Sequence, residues 1–194
     1  MHGAGMTSLN EYLVEKRAAL AARKARIEDG SLVAVPLSAT VSVEGRSGVR
    51  RIRIRDHQVV TDSPPDFAGY DLGPGSPELQ LGILGSCLAH SYLIQAARLG
   101  VPLDAVEVAV NGQIDARAGQ PGFEAVPVAP HDLAYTVRIV SPAAPEALAG
   151  LQAEVDRACP ILNLLRAPQA VHGTVEHRRP AASDPTPAAQ ARAA

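Results

Sequence analysis

The sequence predicts an α+β protein, and three observations lead to this fold class. Helix formers with helical spacing of apolar side chains occupy the N-terminal segment, a long central segment and a later third segment. Between these segments the sequence alternates apolar and polar residues with a period of two, which is typical of half-buried strands. The strands come in groups and do not alternate singly with helices, so the pattern favours an α+β architecture over repeated βαβ units.

The N-terminal half of the sequence predicts a helix followed by antiparallel strands. The helix extends from Ser8, a favourable N-cap, to about Glu28, and Gly30 ends it. Residues 32–60 then alternate as strands do, and the turn sequence GRSG separates the first two runs, which predicts a β-hairpin. A short third strand is expected over 57–60. A loop rich in Pro and Gly follows it.

The C-terminal half predicts the central helix, two strands and three shorter elements. Ser76 as N-cap and Pro77 at the first helical position open the central helix, which Gly100 ends. Because this helix is apolar on almost all sides, it is expected to be buried on most faces. The remaining predicted elements are strands over 103–115 and 132–140, a helix from Ser141 to about Cys159, a short helix over 160–166 and a strand over 169–177.

The composition and length restrict the class of protein. Aromatic residues are only 3% of the chain, Trp is absent and the net charge is −2, which argues against a nucleic-acid partner. No apolar run approaches the ~20 residues of a membrane span, so no membrane partner is expected. The N-terminal segment lacks the apolar core of a signal peptide, and we therefore expect a cytoplasmic location. One domain is expected over 31–178, with a helical extension over 1–30 and a disordered, Ala- and Pro-rich tail over 179–194.

The chain has two cysteines, Cys87 and Cys159, each in an apolar helical context beside a helix-breaking signal. In a reducing cytosol a permanent structural disulfide is not expected, which leaves a catalytic pair or two buried thiols. A thiol near a helix N-terminus has a lowered pKa, but the helix dipole contributes only about 0.3–1 kcal/mol. Making a thiol mostly thiolate at neutral pH requires about 2.7 kcal/mol, so a catalytic thiol needs a nearby cation.

Arginines of the predicted hairpin are the candidate cations. Arg46 lies in the GRSG turn, from which a side chain can reach over a neighbouring site. Arg51, Arg53 and Arg55 are expected on one strand face, where a solvated polar surface is the simpler explanation. Glu78, at the start of the central helix, can either complement the helix dipole or hold an arginine by a bidentate ion pair.

Three other interpretations of the cysteines stay open from the residues alone. Both thiols can be inert core residues, since free Cys is among the most buried residue types. Cys87 and His90 form C-x-x-H, a spacing that suits zinc. The further zinc ligands would be Cys159 and either His131 or His172, although a second closely spaced ligand pair is missing. Cys87 could also be a hydrolase nucleophile with His90 or His131 as its base, although no oxyanion-hole signature is visible.

The stretches DLGPGSPELQLGILGSCLAH, AARLGVPLDAVEVAVNGQID and RACPILNLL contain the two cysteines and the segment between them. A P-E-L helix start precedes G-S-C, and a second Cys-Pro follows about seventy residues later. Over about 38–177 these features resemble the OsmC/Ohr family of osmotically induced proteins and organic hydroperoxide reductases. The GSCLAH sequence around the first cysteine resembles the OsmC-like branch of that family more than the reductases.

The resemblance implies an OsmC-like fold built as an intertwined homodimer, with sheets wrapped around two long central helices and a site at each end of the interface. It implies a thiol-dependent peroxidase that reduces organic hydroperoxides. Cys87 would be the peroxidatic cysteine and Cys159 the resolving cysteine that forms a disulfide with it. Arg46 and Glu78 correspond to the arginine and the glutamate that the family's reductases use.

The residues around the cysteines are compatible with an organic hydroperoxide as the substrate. An apolar pocket lined by Leu84, Leu88 and Ile161 would suit an alkyl hydroperoxide better than hydrogen peroxide. Sulfur performs the redox chemistry, so no metal, flavin or haem cofactor is expected. An external dithiol, such as a lipoyl-bearing protein in the family, would reduce the pair again. The alternative is a non-catalytic OsmC-like domain that binds an apolar small molecule at the dimer interface.

Overall fold

The computed structural model describes residues 8–178 of the chain, so the predicted tail over 179–194 lies outside the described residues. The described elements are α1 (Leu9–Glu28), β1 (Thr40–Val43), β2 (Arg50–Ile54), β3 (His57–Thr61), a single 3-10 turn (Pro65–Phe67), α2 (Ser76–Leu99), β4 (Ala105–Gln113), β5 (His131–Val140), α3 (Pro145–Ala158) and α4 (Pro160–Arg166). The strands form two antiparallel sheets, β1-β2-β3 and β4-β5, which confirms the α+β fold class. Within 8–178, none of the helices combines the length and hydropathy needed to cross a bilayer.

Helix α1 begins with a capping box, in agreement with the predicted N-cap. The Ser8 hydroxyl accepts a hydrogen bond from the Glu11 backbone N–H at 3.3 Å, and the Glu11 carboxylate accepts one from the Ser8 N–H at 2.9 Å. Further along the helix, Leu13 is buried and α1 packs against α2. The Arg17 Nε also donates to the carbonyl oxygen of Ala97 at 2.7 Å. These contacts fix α1 along α2.

The first sheet has one apolar face and one polar face. Its register pairs Val41 with Ile52 and Ile52 with Val59, so these three side chains lie on the same side. By alternation along each strand, Val43 and Ile54 lie on that side too. Among the residues described, no helix packs extensively against this sheet, and Val43 is 66% exposed. The apolar face of the sheet is therefore in contact with solvent in the protomer.

The predicted arginine face of β2 is partly wrong. Arg51 and Arg53 lie on the polar face, as expected from the alternation. Arg55 lies beyond the strand, in the two-residue turn before β3, with a φ of 53°. The alternation ends at Ile54 because the chain reverses there and pairs Ile54 with His57.

Helix α2 forms the centre of the hydrophobic core. Its N-cap is Gly75, one residue before the predicted Ser76, and the Glu78 carboxylate accepts a hydrogen bond from the Gly75 N–H at 2.6 Å. A buried stripe recurs every four residues and consists of Leu84, Leu88, Tyr92 and Ala96. Most of the helix is buried or half-buried, as expected, and one side, which includes Ile83, Ser86 and His90, is exposed in the protomer.

The second sheet covers another side of α2. Val108 on β4 lies opposite Val137 on β5, and both side chains pack against the core. Gly85 of α2 is buried against β4. A Cβ at that position would lie only 3.3 Å from Cγ2 of Val110. The missing side chain lets the helix approach the sheet closely.

Helix α3 begins later than the sequence predicts. The predicted start was Ser141, but the helix begins at Pro145. The Ser141 hydroxyl instead donates to the carbonyl of Pro102 and accepts a hydrogen bond from the Ala143 N–H, which stabilises a turn after β5. As predicted, the helix breaks at Cys159, which is the C-cap of α3 and the N-cap of α4.

The strand predicted over 169–177 is not formed in the described protomer. The segment after α4 has no regular secondary structure, and its valines, Val171 and Val175, are almost fully exposed. Alternating side chains suit a strand, but a strand also needs a neighbouring edge to take up its backbone hydrogen bonds. Neither sheet of the described protomer pairs with this segment.

Candidate active site

Two thiols that are 72 residues apart in the sequence lie side by side in the structure. The Sγ atoms of Cys87 and Cys159 are 3.5 Å apart, and both cysteines are free. Cys87 lies in the middle of α2 and is partly exposed, whereas Cys159 is fully buried at the junction of α3 and α4. Because α2 packs against both of those helices, the packing brings the sulfurs together. A small approach of the two sulfurs would allow a disulfide to form.

Cys87 opens onto a shallow depression along the exposed face of α2. The depression has a volume of about 420 Å³, which is within the usual range for ligand pockets. Its lining residues recur at helical spacing and all belong to α2: Leu79, Gly82, Ile83, Ser86, Cys87 and His90. Because a single helix lines it, the depression is open to solvent in the protomer.

The predicted pocket lining of Leu84, Leu88 and Ile161 is wrong, since none of the three lines the depression beside Cys87. Leu84 and Leu88 are buried in the core and do not line the depression. Ile161 is near the thiols, but it acts through its backbone N–H, which lowers the pKa of Cys87. The apolar side chains that face the same space as the thiol are Leu79 and Ile83.

The local environment of Cys87 favours the protonated thiol. Burial raises the pKa of Cys87 above its ordinary value, and the neighbouring thiol of Cys159 raises it further. The Ile161 N–H and the Ser91 hydroxyl act in the opposite direction without reversing the shift. None of these groups is a cation, and a thiol with a raised pKa is almost entirely protonated at neutral pH. The described protomer therefore does not supply the positive charge that a thiolate needs.

Arg46 and Glu78 do not meet in the described protomer. Arg46 is exposed in the turn between β1 and β2, and it does not line the depression beside Cys87. The ion pair of this hairpin is formed instead by Arg51 and Glu44, whose side chains are 2.9 Å apart. Glu78 caps the N-terminus of α2, as described above. Of the four predicted site residues, only the two cysteines are brought together within one protomer.

His90 follows Cys87 by one turn of α2 and pairs with a lysine of α1. The Nζ of Lys16 lies 2.9 Å from Nε2 of His90, so the lysine donates and the neutral ring accepts. Burial, followed by the charge of Lys16, lowers the pKa of His90. His131 is hydrogen-bonded to Asp132 at 2.9 Å. Neither histidine is hydrogen-bonded to the thiol in the described residues, so the arrangement does not support the hydrolase alternative.

The zinc alternative also lacks a site in the described part of the chain. Within 8–178, no three His, Cys, Asp or Glu side chains are grouped closely enough to hold a metal ion. His172 lies in the exposed segment that follows α4, and His131 is engaged at the start of β5. The C-x-x-H spacing therefore brings no further ligands together.

A chain of polar side chains that leads from the core towards the surface was not anticipated from the sequence. The Tyr92 hydroxyl donates to Oε1 of Gln152, the Gln152 amide donates to the Tyr135 hydroxyl at 3.4 Å, and that hydroxyl donates to Asp156 at 2.6 Å. Burial raises the pKa of Tyr92 to about 12, so its hydroxyl stays a donor at any physiological pH. A tyrosine within an apolar helix indicates that its hydroxyl needs a hydrogen-bond partner. The sequence could not identify that partner, because Gln152 lies sixty residues away.

Asp62 organises the loop that leads from the first sheet to α2. Its Oδ2 accepts hydrogen bonds from the backbone N–H groups of Tyr70 and Leu72 at 2.9 and 3.2 Å. Arg50 of β2 donates to the carbonyl oxygen of Asp62 at 2.8 Å. This arginine therefore has a structural task, and the Asp62 carboxylate orders the loop between the first sheet and α2.

Comparison with known protein families assigns the fold. A family model described as OsmC-like protein matches residues 69–172, more than half of the chain, and this range contains α2, the second sheet and both cysteines. The chain therefore belongs to the OsmC-like family, which confirms the resemblance seen in the sequence. No curated protein matches the sequence.

Solved structures share this fold at low sequence identity. An OsmC-like protein from Mycoplasma pneumoniae matches with a TM-score of 0.59 and 16% identity, covering 69% of this chain and 89% of that one. An organic hydroperoxide resistance protein OsmC from Legionella pneumophila matches with a TM-score of 0.51 and 16% identity, covering 70% and 92%. At these identities the likeness shows the OsmC-like α+β fold and nothing more specific.

Proposed function

We propose that this protein is a thiol-dependent peroxidase that reduces organic hydroperoxides with Cys87 and Cys159. The observation that carries the proposal is the 3.5 Å separation between the two sulfurs. One thiol is partly exposed and the other is buried behind it, which suits a cysteine that meets the peroxide and a second that resolves the product. Membership of the OsmC-like family, in which a neighbour is named an organic hydroperoxide resistance protein, supports the same class of reaction.

The proposed reaction consists of two sulfur steps and a reduction. The Cys87 thiolate attacks the peroxide oxygen and the O–O bond breaks, which leaves a sulfenic acid on Cys87 and an alkoxide that takes up a proton and departs as an alcohol. The sulfur of Cys159 then attacks the sulfenic sulfur, so that a disulfide forms and water departs. An external dithiol restores both thiols by exchange and is itself oxidised to a disulfide. We assign this role to a lipoyl-bearing protein in the cytoplasm.

Activation of Cys87 in this proposal depends on a homodimer. The groups that shift the pKa of Cys87 within the protomer include no cation, while Arg46 is exposed on a sheet whose apolar face is uncovered. In the proposed dimer, this sheet packs over the exposed side of the partner's α2, and Arg46 reaches the partner's Cys87. Burial of Val43 and Ile83 in the interface would supply the driving force. Glu78 would then orient the arginine by an ion pair.

The lining of the depression supports an organic substrate. Leu79 and Ile83 lie beside the thiol, and covering them with the partner's sheet would produce an apolar pocket. An alkyl group buries apolar surface in such a pocket, whereas hydrogen peroxide has none to bury. We therefore propose alkyl or aryl hydroperoxides as the substrate class.

Peroxide consumption by cysteine variants tests the proposed function. With tert-butyl hydroperoxide and dihydrolipoamide, the wild type is expected to turn over and Cys87→Ser is expected to consume no peroxide above background. In the absence of dithiol, Cys159→Ser is expected to consume one equivalent of peroxide and to leave a sulfenic acid on Cys87 that dimedone traps for mass spectrometry. Full consumption by Cys87→Ser would exclude the peroxidase. A wild type that is inactive with every dithiol would favour the non-catalytic domain that binds an apolar small molecule.

A further inference from the structure

A second concave surface lies between α1 and the C-terminal half of α2. It is a half-open groove of about 500 Å³. Four apolar side chains line it, namely Leu20, Ala21, Ile27 and Ile94. Four basic side chains line it as well, namely Arg17, Arg23, Lys24 and Arg98. Neither cysteine belongs to this groove.

The positive charge of the groove is not neutralised from inside it. Within 8–178, neither Arg23 nor Arg98 forms a salt bridge or a side-chain hydrogen bond with another residue. Lys24 pairs with Glu28 at 3.5 Å, but both side chains are largely exposed and such pairs contribute little. Arg157, and to a lesser extent Arg98, lowers the pKa of Glu154, yet neither Glu28 nor Glu154 lines the groove. The lining therefore contains cations and no carboxylate.

Apolar and cationic side chains in one groove define the chemistry of its ligand. We propose that the groove binds a fatty-acid carboxylate of medium chain length. The acyl chain lies against Leu20, Ile27 and Ile94, and the carboxylate is held by Arg23 and Arg98. A guanidinium can bind a carboxylate through two parallel hydrogen bonds, which gives a stronger and more directional contact than a lysine provides.

The shape of the groove favours one small molecule over a larger partner. Its volume is within the usual range for small-ligand pockets. The apolar residues of α1 extend from Leu20 to Ile27, which is about 10 Å along the helix axis. This length accommodates a single acyl chain. A typical protein interface would need roughly 800 Å² on each partner, and a membrane surface would need a flat patch instead of a cleft.

This ligand site is independent of the proposed peroxidase. Arg98 follows Cys87 by eleven residues on α2, which is about 16 Å along the helix axis. Between the two sites the Lys16–His90 contact joins α1 to α2. Most of the groove's lining comes from α1, which precedes the residues 69–172 that match the family model. The site is thus a property of this chain's N-terminal helix.

Binding of sodium decanoate below its micelle concentration tests this inference. Calorimetry on the wild type is expected to show saturable binding at one site per chain, and methyl NMR is expected to show shifts at Leu20, Ile27 and Ile94. The double variant Arg23→Gln/Arg98→Gln is expected to bind at least about tenfold more weakly. A control with the same loss of charge, Arg53→Gln/Arg55→Gln on β2 and the turn after it, is expected to bind as the wild type does.

Four results would overturn the inference. They are equal affinity for decanol, unchanged binding by the double variant, methyl shifts at Leu79 and Ile83 in place of the groove residues, and binding to phosphatidylglycerol vesicles without binding to decanoate. Equal affinity for decanol would show that the carboxylate charge does not contribute to binding. Unchanged binding by the double variant, or methyl shifts at Leu79 and Ile83, would show that decanoate binds elsewhere. Binding to vesicles alone would show that the basic residues bind a lipid bilayer. No peroxide is present in these measurements, so their outcome is separate from that of the peroxidase test.

Discussion

The Nζ of Lys16 on α1 lies 2.9 Å from Nε2 of His90, one turn beyond Cys87 on α2. This contact joins the N-terminal helix to the helix that carries the candidate active site. It also holds the imidazole in one protonation state, because a lysine ammonium donates hydrogen bonds and does not accept them. His90 must therefore present a lone pair at Nε2, which keeps the ring neutral.

Replacing Lys16 by Ala is expected to raise the pKa of His90. Burial lowers that pKa in the wild type and the lysine charge lowers it further, so the variant removes the second cause and leaves the first. An NMR titration of the imidazole signals measures the shift. Lys24→Ala, at the far end of α1, serves as the control and is expected to leave the His90 titration unchanged. Identical titrations in both variants would contradict the contact.

The same contact predicts how stability depends on pH. Because the pKa of His90 is lower in the folded protein than in the unfolded chain, the unfolded chain binds more protons on acidification. The stability contribution is therefore present above the unfolded pKa of about 6.5 and is lost as the pH falls below it. Urea denaturation between pH 7 and 5 should show a smaller loss of stability for Lys16→Ala than for the wild type.

Replacing Arg46 by Gln is expected to raise the pKa of Cys87 in the assembled protein. Burial and the Cys159 thiol already raise it, and the proposed dimer relies on Arg46 to counter them. The rate of alkylation by iodoacetamide as a function of pH reports the thiolate fraction. Its midpoint should move to higher pH in Arg46→Gln and stay in place in Arg53→Gln. An unchanged midpoint in Arg46→Gln would remove this arginine from the proposed site.

Two substitutions at Glu78 separate helix capping from a role in the proposed reaction. Glu78→Ala removes the acceptor for the Gly75 N–H and is expected to lower the free energy of unfolding by roughly 0.3–1 kcal/mol. Glu78→Gln keeps an acceptor and should cost less. Both variants should lose kcat/KM with tert-butyl hydroperoxide, because an ion pair with Arg46 needs the carboxylate charge. Full activity in Glu78→Gln would mean that the residue is only a cap.

Replacing Tyr92 by Phe is expected to lower the free energy of unfolding by about 1–3 kcal/mol. The substitution leaves Oε1 of Gln152 without its donor, next to a fully buried ring. Urea denaturation measures the change. Tyr70→Phe, on an exposed ring, is the matched control and should be nearly neutral. Equal stability of the two variants would show that the buried hydroxyl contributes nothing.

Local signals were sufficient for most of the secondary structure. The Ser8 cap predicts the start of α1, the GRSG turn predicts the hairpin, and Pro160 predicts the break at Cys159. These features act through neighbours within a few residues, which a sequence displays directly. The prediction of a helix start is wrong where a residue distant in sequence binds the predicted capping side chain. Ser141 has the residue type of a helix N-cap, but its hydroxyl binds the carbonyl of Pro102 and the helix begins later.

The candidate site was predictable only in part, because it depends on contacts between remote segments. The residues alone left the two cysteines open to several interpretations, and their pairing came from the family resemblance. The proximity of Sγ atoms 72 residues apart, and the contact between Lys16 and His90, arise from the packing of helices against α2. The strand predicted over 169–177 illustrates the same limit, since alternation specifies a side-chain pattern and not a pairing partner.

In the proposed homodimer, the stability of the β1-β2-β3 sheet depends on the protein concentration, because the apolar face of this sheet is uncovered in the described protomer. Val41, Val43 and Ile54 remain hydrated until another surface reaches them, since no helix of the described protomer packs extensively on the sheet. In the proposed dimer a second protomer covers them, so the free energy that this contact adds to stability increases with the protein concentration. On dilution, residues 40–61 should melt ahead of α2 and the β4-β5 sheet, so a single transition in a concentrated sample should split into two.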